Sequence, residues 1–463
     1  MIMLILSATL TLMITGVAGY LGKLKVKNTK DFITGGNRIG VVGVTSMLMG
    51  SIIGGASTVG TAQMAYNRGI AAIWFILGLC VSSIILGLIY SKYMDKERMD
   101  TIPQIIGTTY GKKSRTAASV LLSIGMFIHI NGQVIAVIAL FTAIFNLNVV
   151  SSALIVTILL VVYVVFGGFW GSTLVGSVKT VLLYGTSLIC GYILIFHLNG
   201  VHEILTFFPK EPWFNIFSGG LAEDLASGIA TVVGVLSTQT YFQAVVAGKD
   251  YKTSRYSAFL TAFFVLPVGI VCTLIGMYMR IHYPNISPRE AFPLFLLNYL
   301  NHGIGGISIA TVLISSIATG AGLALGVATM FVRDVYKPLI NEGISDKKEL
   351  YILRISIVCI GLLSLFIVIQ NKDSMILGWG FLSMVFRATP IFLPLTAAMF
   401  FKDKINKKSG FYAILGGPLS SVLWILLGFG KISSLYIGLM VSFFILFFSG
   451  KLKILTSKNE INK

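Results

Sequence analysis

Stretches of about 20 apolar residues recur from one end of this chain to the other, and nothing else in it limits the fold so strongly. In hydrocarbon every backbone N–H and C=O must be satisfied within the protein, so runs of that length cross a membrane as α-helices. Barrel strands would alternate apolar and polar residues, and these runs do not. Of the 463 residues, 56% are hydrophobic and 11% charged, whereas soluble domains carry about a quarter charged residues. The chain is therefore read as an all-α polytopic membrane protein. About 13 transmembrane helices are expected, near 2–22, 39–66, 70–91, 116–145, 149–166, 176–197, 223–246, 256–280, 303–332, 353–370, 375–400, 410–429 and 433–449. The first run has no basic flank ahead of it and exceeds a signal-peptide core in length, so it is read as a retained span.

The intervening loops alternate in charge. With the N-terminus outside, one side holds loops 23–38, 91–115, 167–175, 247–255, 333–354, 402–410 and the tail from 450. Together these carry 27 of the 35 Lys and Arg residues, and the opposite side carries six. By the positive-inside rule the basic side is cytoplasmic. The expected placement is the plasma (inner) membrane, multi-pass, with the N-terminus outside and the C-terminus cytoplasmic. The net charge of +18 then faces the anionic inner leaflet rather than a nucleic acid. Cys80, Cys190, Cys272 and Cys359 lie in apolar runs without metal spacing and are read as packing residues. The outer segments are short, and "SPREAFPLFLLNYLNH" is expected to lay a helix against the outer mouth. A tail of about 14 residues leads us to expect no signalling domain.

Two spans break their own pattern. Residues 50–63, "GSIIGGASTVGTAQ", crowd glycines and hydroxyls into mid-span, and "ATVVGVLSTQTYFQ" (230–243) does so again around Gly234. Glycine costs a helix about 1 kcal/mol relative to alanine. Close packing through small residues is one explanation. A discontinuous helix, whose freed carbonyls face a substrate or ion, is the other. Five spans can be counted from each break, and five is odd, so the two halves enter from opposite sides. Paired breaks opening inverted halves point to an alternating-access transporter. The expected organisation is an N-terminal extra span and basic loop (1–38), a first five-span repeat (39–197), an outer loop (198–222), a second five-span repeat (223–400), and two C-terminal extra spans with a basic tail (401–463).

The stretches "DFITGGNRIG", "QMAYNRGIAAIW", "TIPQIIGTTYGKKSR", "VVFGGFWGS", "GKD" and "ATGAGLALGVATMFVRDVYK", in that order and spacing, resemble the sodium:solute symporter family, whose members have the LeuT-type inverted-repeat fold. Members carry sugars, proline, pantothenate or sialic acid. The resemblance implies symport of a small organic solute with Na+ as coupling ion. By position, the family's sodium ligands fall on Gly50, Ile53, Ser315, Ala318 and Thr319. Ala318 offers only a methyl group, so Gly50, Ile53, Ser315 and Thr319 remain, with Ser316 or Ser57 as substitutes. Many members carry an acidic residue where Gly176 stands, and glutamine where Lys179 stands.

Lys179 and Arg387 are the only basic residues within spans, and no acidic residue lies deep in one. A buried cation there costs about 3 kcal/mol or more and marks function by default. For Arg387, the alternatives are a solute carboxylate and carbonyls freed by Pro390 and Pro394. For Lys179, they are snorkelling to the cytoplasmic surface and an ammonium in place of sodium. Gly54, Ser57, His129, Gln133, Ser237, Gln239 and Arg387 are the expected substrate residues. The spans lack a filter motif for a channel, and lack the nucleophile, metal cluster or acid–base pair an enzyme needs. The chain is expected to be a secondary transporter, sodium-coupled, for a small and possibly anionic organic solute. The alternative is a proton-coupled or sodium-independent carrier using Lys179.

Overall fold

The structure is a computed structural model. It describes residues 2–461 except 25–27, 35, 37, 94–98, 146, 372–373, 403–404 and 430–431, and the backbone alone of 23, 166–169 and 449–461. Part of the charge pattern, including Lys372 and Lys431, thus lies outside the described residues, as do Gly35 and Asn37 of "DFITGGNRIG".

Every one of the thirteen expected spans is helical among the described residues. By length and composition, however, nine helices among the described residues are able to cross a membrane, or ten with one bent pair. The shortfall has a physical cause. Val41–Ile52, Val149–Val165 and Ser434–Phe448 are apolar but short, and the helix following the first break runs on into the next span as Ala56–Tyr93. The helices sort by burial. In their most apolar 18-residue stretches, His302–Leu339 is 94% buried and Lys112–Phe145 83%, whereas Ile2–Gly22 is 22% buried. Two apolar-all-round helices therefore form the core, and the first helix packs on its rim.

Hydrogen bonding runs as helix from Val149 to Tyr192, across two expected spans. Leu160 Cδ1 lies within 3.0 Å of where a Gly320 Cβ would stand, and Lys179 Nζ is 3.2 Å from Thr319 Oγ1. In a straight helix residues 160 and 179 would be roughly 28 Å apart. The element therefore folds back between them and forms two arms.

The broken spans hold the site. The first comprises Val41–Ile52, an extended Ile53 (φ −93°, ψ 108°), a wide turn Ala56–Gly60 and the helix Thr61–Arg68. The second comprises Leu221–Leu236 and Gln239–Val246, bent by 49° across Ser237 and an extended Thr238 (φ −96°, ψ 123°). They run antiparallel. Ile39, ahead of the first, donates to Ala247 O (3.0 Å) and accepts from Lys249 N–H (3.1 Å) at the end of the second. At the other face, Arg68 ends the first helix and reaches Glu223 at the start of the second (3.2 Å). The outer stretch forms Ala291–Tyr299 after a tight turn at Pro288–Glu290.

Candidate functional site

The first break stays open because its neighbours take over the freed backbone groups. A Cβ on Gly54 would lie 2.5 Å from Gln133 Oε1 and 2.7 Å from Thr319 Oγ1, so only glycine lets both core helices close on it. Gly55 N–H donates to Gln133 Oε1 (2.7 Å). Ser57 Oγ donates to Ile52 O (2.9 Å), and Thr58 Oγ1 to Gly54 O (2.9 Å). The irregular backbone is thereby satisfied by protein, as its depth demands.

Beside the break, the four expected ion ligands converge. Ser315 Oγ donates to Ile53 O (2.9 Å). Thr319 Oγ1 lies 2.9 Å from Gly50 O, 3.2 Å from Ile53 O and 3.0 Å from Ser315 O. Among them sits the amine of Lys179, whose Nζ donates to Gly50 O (2.6 Å), Ser315 O (2.9 Å) and Thr319 Oγ1 (3.2 Å). An ammonium has three protons to donate, and three acceptors receive them. Lys179 is 1% exposed, so it does not snorkel. Gly176 explains its reach. A Cβ there would stand 2.7 Å from Ser46 O, so the two backbones touch, and a lysine one turn on arrives at Gly50 O. Ser316 Oγ turns to its own helix at Val312 O (3.0 Å) and Ser57 to Ile52 O, so neither replaces the hydroxyl missing at Ala318.

These contacts bear on sodium. An ion held by the same oxygens would lie within about 4 Å of Nζ. Two unit charges at that distance repel by about 4 kcal/mol at an effective dielectric near 20. A protonated Lys179 and a sodium ion therefore exclude each other from this position.

Arg387 is completely buried, on Ile376–Phe400. Its Nη1 donates to Thr238 Oγ1 (2.7 Å) at the second break, and Nη2 faces His129 Nδ1 (3.0 Å) and Met384 Sδ (2.9 Å). Nε donates to Ser383 O (3.3 Å). The carbonyls left by Pro390 and Pro394 would be those of Phe386 and Pro390, four residues back. The proline explanation is therefore corrected: the arginine holds the second break instead. Among the described residues neither Lys179 nor Arg387 meets a carboxylate.

The two breaks are linked through one helix. His129 Nε2 faces Gln133 Nε2 at 2.8 Å, and Gln133 reaches Gly55 N–H. The chain Arg387–His129–Gln133–Gly55 begins and ends on groups that only donate. A neutral imidazole supplies one donor and one acceptor, and the carboxamide turns one group each way. Whichever tautomer and amide orientation is chosen, one contact sets two donors face to face. The network is one acceptor short.

Two expected substrate residues stand apart. Ser237 Oγ bonds Val233 O in its own helix (2.7 Å). Gln239 accepts from Ile102 N–H (2.8 Å) and donates to Asp100 O (2.9 Å), tying the second broken helix to the segment ahead of Ile102–Tyr110. Thr238, between them, is the residue that reaches Arg387, because the extended backbone there turns its side chain to the other face. The polar run marked this segment, but its periodicity cannot say which member faces inward once the helix is broken.

The model of the sodium:solute symporter family matches residues 32–417. The high-affinity proline transporter PutP of Bacillus subtilis (strain 168) is 22% identical over 426 residues, covering 88% of this chain and 89% of PutP. The symporter YwcA of the same organism is 25% identical over 441 residues, covering 89% and 83%. Among solved structures, a Na+-coupled sialic acid symporter in a substrate-bound outward-open state superposes with a TM-score of 0.83 at 16% identity, covering 97% of this chain and 98% of that one.

Proposed function

The chain belongs to the sodium:solute symporter family, and from that premise we propose that it carries a small organic anion, with the amine of Lys179 standing where a co-transported sodium ion would bind. It is a multi-pass membrane protein and a transporter of an organic solute, not an enzyme. The fold it shares with the sialic acid symporter is all-helical.

The observation that carries this proposal is the set of three hydrogen bonds from Lys179 Nζ to Gly50 O, Ser315 O and Thr319 Oγ1. The first broken helix and the core helix His302–Met330 are bridged by a positive charge belonging to the chain itself. Loss of the Nζ proton weakens that bridge, because a neutral amine has two donors for three acceptors. Proton release from Nζ therefore takes the role of ion release: it frees the first broken helix from the core and lets the break open. Solute movement is coupled to that proton. The N-terminus is outside and the C-terminus cytoplasmic in the plasma membrane, with repeats 39–197 and 223–400 moving against one another.

The anionic solute follows from Arg387 and from the missing acceptor. A carboxylate supplies up to four acceptor positions and matches a guanidinium bidentately. Placed between Arg387 and His129, it relieves the donor–donor contact and neutralises the buried charge. Of the proteins named above, PutP transports proline and the structural neighbour sialic acid, each of which bears a carboxylate.

A second reading, sodium symport, is favoured by the family and by the four oxygen-bearing residues that remain. It requires Lys179 to lose its proton and withdraw before sodium enters. Uptake of carboxylate solutes into proteoliposomes separates the two. With a proton gradient and no sodium, uptake is expected, and it should lose its pH response in Lys179→Gln. Uptake that needs a sodium gradient at constant pH and fails in Thr319→Ala would establish the second reading instead.

A further inference from the structure

A groove of about 520 Å³ lies at the end of the protein that carries the basic loops. Its trough is apolar, built from Ala117, Val120 and Leu121 of Lys112–Phe145, Leu339, and Phe411 and Leu415 of Lys407–Leu426. Its mouth is cationic, with Lys112 and Lys113 on its wall. Lys407 and Lys408, both exposed, open the helix that supplies Phe411. Beside the groove that helix packs on Ile102–Tyr110, since a side chain on Gly410 would run into the Tyr110 ring. Among the described residues Glu342 lies 3.6 Å from Lys112, with both side chains more than three-quarters exposed. So exposed a pair is weak and screened by salt, and it leaves Lys112 available.

From this arrangement we propose that the groove is a binding site for an anionic phospholipid, its phosphate between Lys112 and Lys113 and one acyl chain in the trough. Depth supports that occupant. From Lys112 to Leu121 the helix rises roughly 14 Å, close to the ~15 Å of one leaflet's hydrocarbon. A transmembrane partner helix needs twice that length. Charge supports it as well, because juxtamembrane lysines draw anionic lipid to the leaflet beside them. The bound lipid spans three helices, among them the one bearing Arg115, whose Nε holds Asp334 Oδ1 (2.7 Å). It thus braces the basic face of the transporter. The site is independent of the solute and of the coupling ion.

Purified full-length protein in nanodiscs of phosphatidylcholine alone, or with phosphatidylglycerol added, tests this by native mass spectrometry of retained lipid. Wild type should retain phosphatidylglycerol preferentially. Each lysine near a membrane surface favours anionic lipid about fivefold, so Lys112→Gln with Lys113→Gln should cut the preference by roughly tenfold or more. Ala117→Trp, which fills the trough and leaves the charges, should lower retention of both lipids, and Lys→Arg at both positions should restore the preference. Equal retention of both lipids by wild type, or an unchanged preference in the double glutamine variant, would overturn the proposal. So would equal thermal stabilisation by inorganic phosphate in phosphatidylcholine nanodiscs, since the site would then bind phosphate rather than lipid.

Discussion

Among the described residues, buried charge at the basic face and buried charge at mid-depth are partnered in opposite ways. At the basic face, Arg115 Nε meets Asp334 Oδ1 at 2.7 Å, with Thr101 Oγ1 donating to the same oxygen at 3.0 Å. Arg333 and Lys337 both reach Glu349, at 2.9 and 3.0 Å. Asp334 and Glu349 are buried, and each cation has its anion. At mid-depth, Lys179 and Arg387 are buried as deeply, and their partners are carbonyls, hydroxyls, an imidazole and a thioether. A charge that serves only to hold helices together brings its counter-ion with it, because an unpaired one costs several kcal/mol. A charge that is part of transport leaves the counter-ion's place to what is transported, or itself fills the place of a transported ion.

That contrast can be broken by mutation. The largest effect on stability is expected from Asp334→Ala, which strands Arg115 and Thr101. Thermal unfolding of the purified protein should show a loss of about 3 kcal/mol or more, and an unchanged melting temperature would remove the structural half of the comparison. Arg387→Gln should destabilise the fold less than Asp334→Ala does, because no charge is stranded, yet lower solute affinity by more than about a hundredfold. Two charge-assisted hydrogen bonds are worth about 3 kcal/mol or more. Normal uptake in this variant would leave the anionic solute without support. Thr238→Val removes one acceptor that aims the guanidinium and should weaken apparent affinity by about tenfold, with maximal rate nearly kept; an unaffected affinity would mean that Arg387 needs no such aim. Smallest is Glu223→Gln, which cuts the exposed pair to Arg68. It should change stability by less than about 1 kcal/mol, and salt should erase the difference. A larger loss would show that the outer contact between the broken helices is more than surface charge.

Much of the fold was legible in the sequence, since apolar run length fixes spanning helices and glycine with hydroxyl residues at mid-span fixes breaks. Less legible was what lies between. Asp334 and Glu349 sit in a sequence that looks like a solvated loop, and only the approach of Arg115 and Lys337 buries them. In the site, Gly50, Ile53, Ser315 and Thr319 were assigned as a group from the resemblance and they meet in space. Gln239 was expected to face the solute and bonds Ile102 and Asp100 instead, because past a broken helix the 100° periodicity no longer tells which side chain faces in. Lys179 was legible as an anomaly but not in its direction. That depends on Gly176 letting two backbones touch, which composition cannot express.

The central claim is that the Lys179 amine holds the cation position, and it can be tested without knowing the solute. Ligands that bind the folded state raise its melting temperature. Thermal unfolding of the purified wild-type protein should therefore be compared in sodium chloride and in choline chloride at matched ionic strength and at pH 7. We expect no sodium-specific shift in wild type. A sodium-specific stabilisation that vanishes in Thr319→Ala would contradict the account, for it would place the ion among the oxygens that Lys179 now holds.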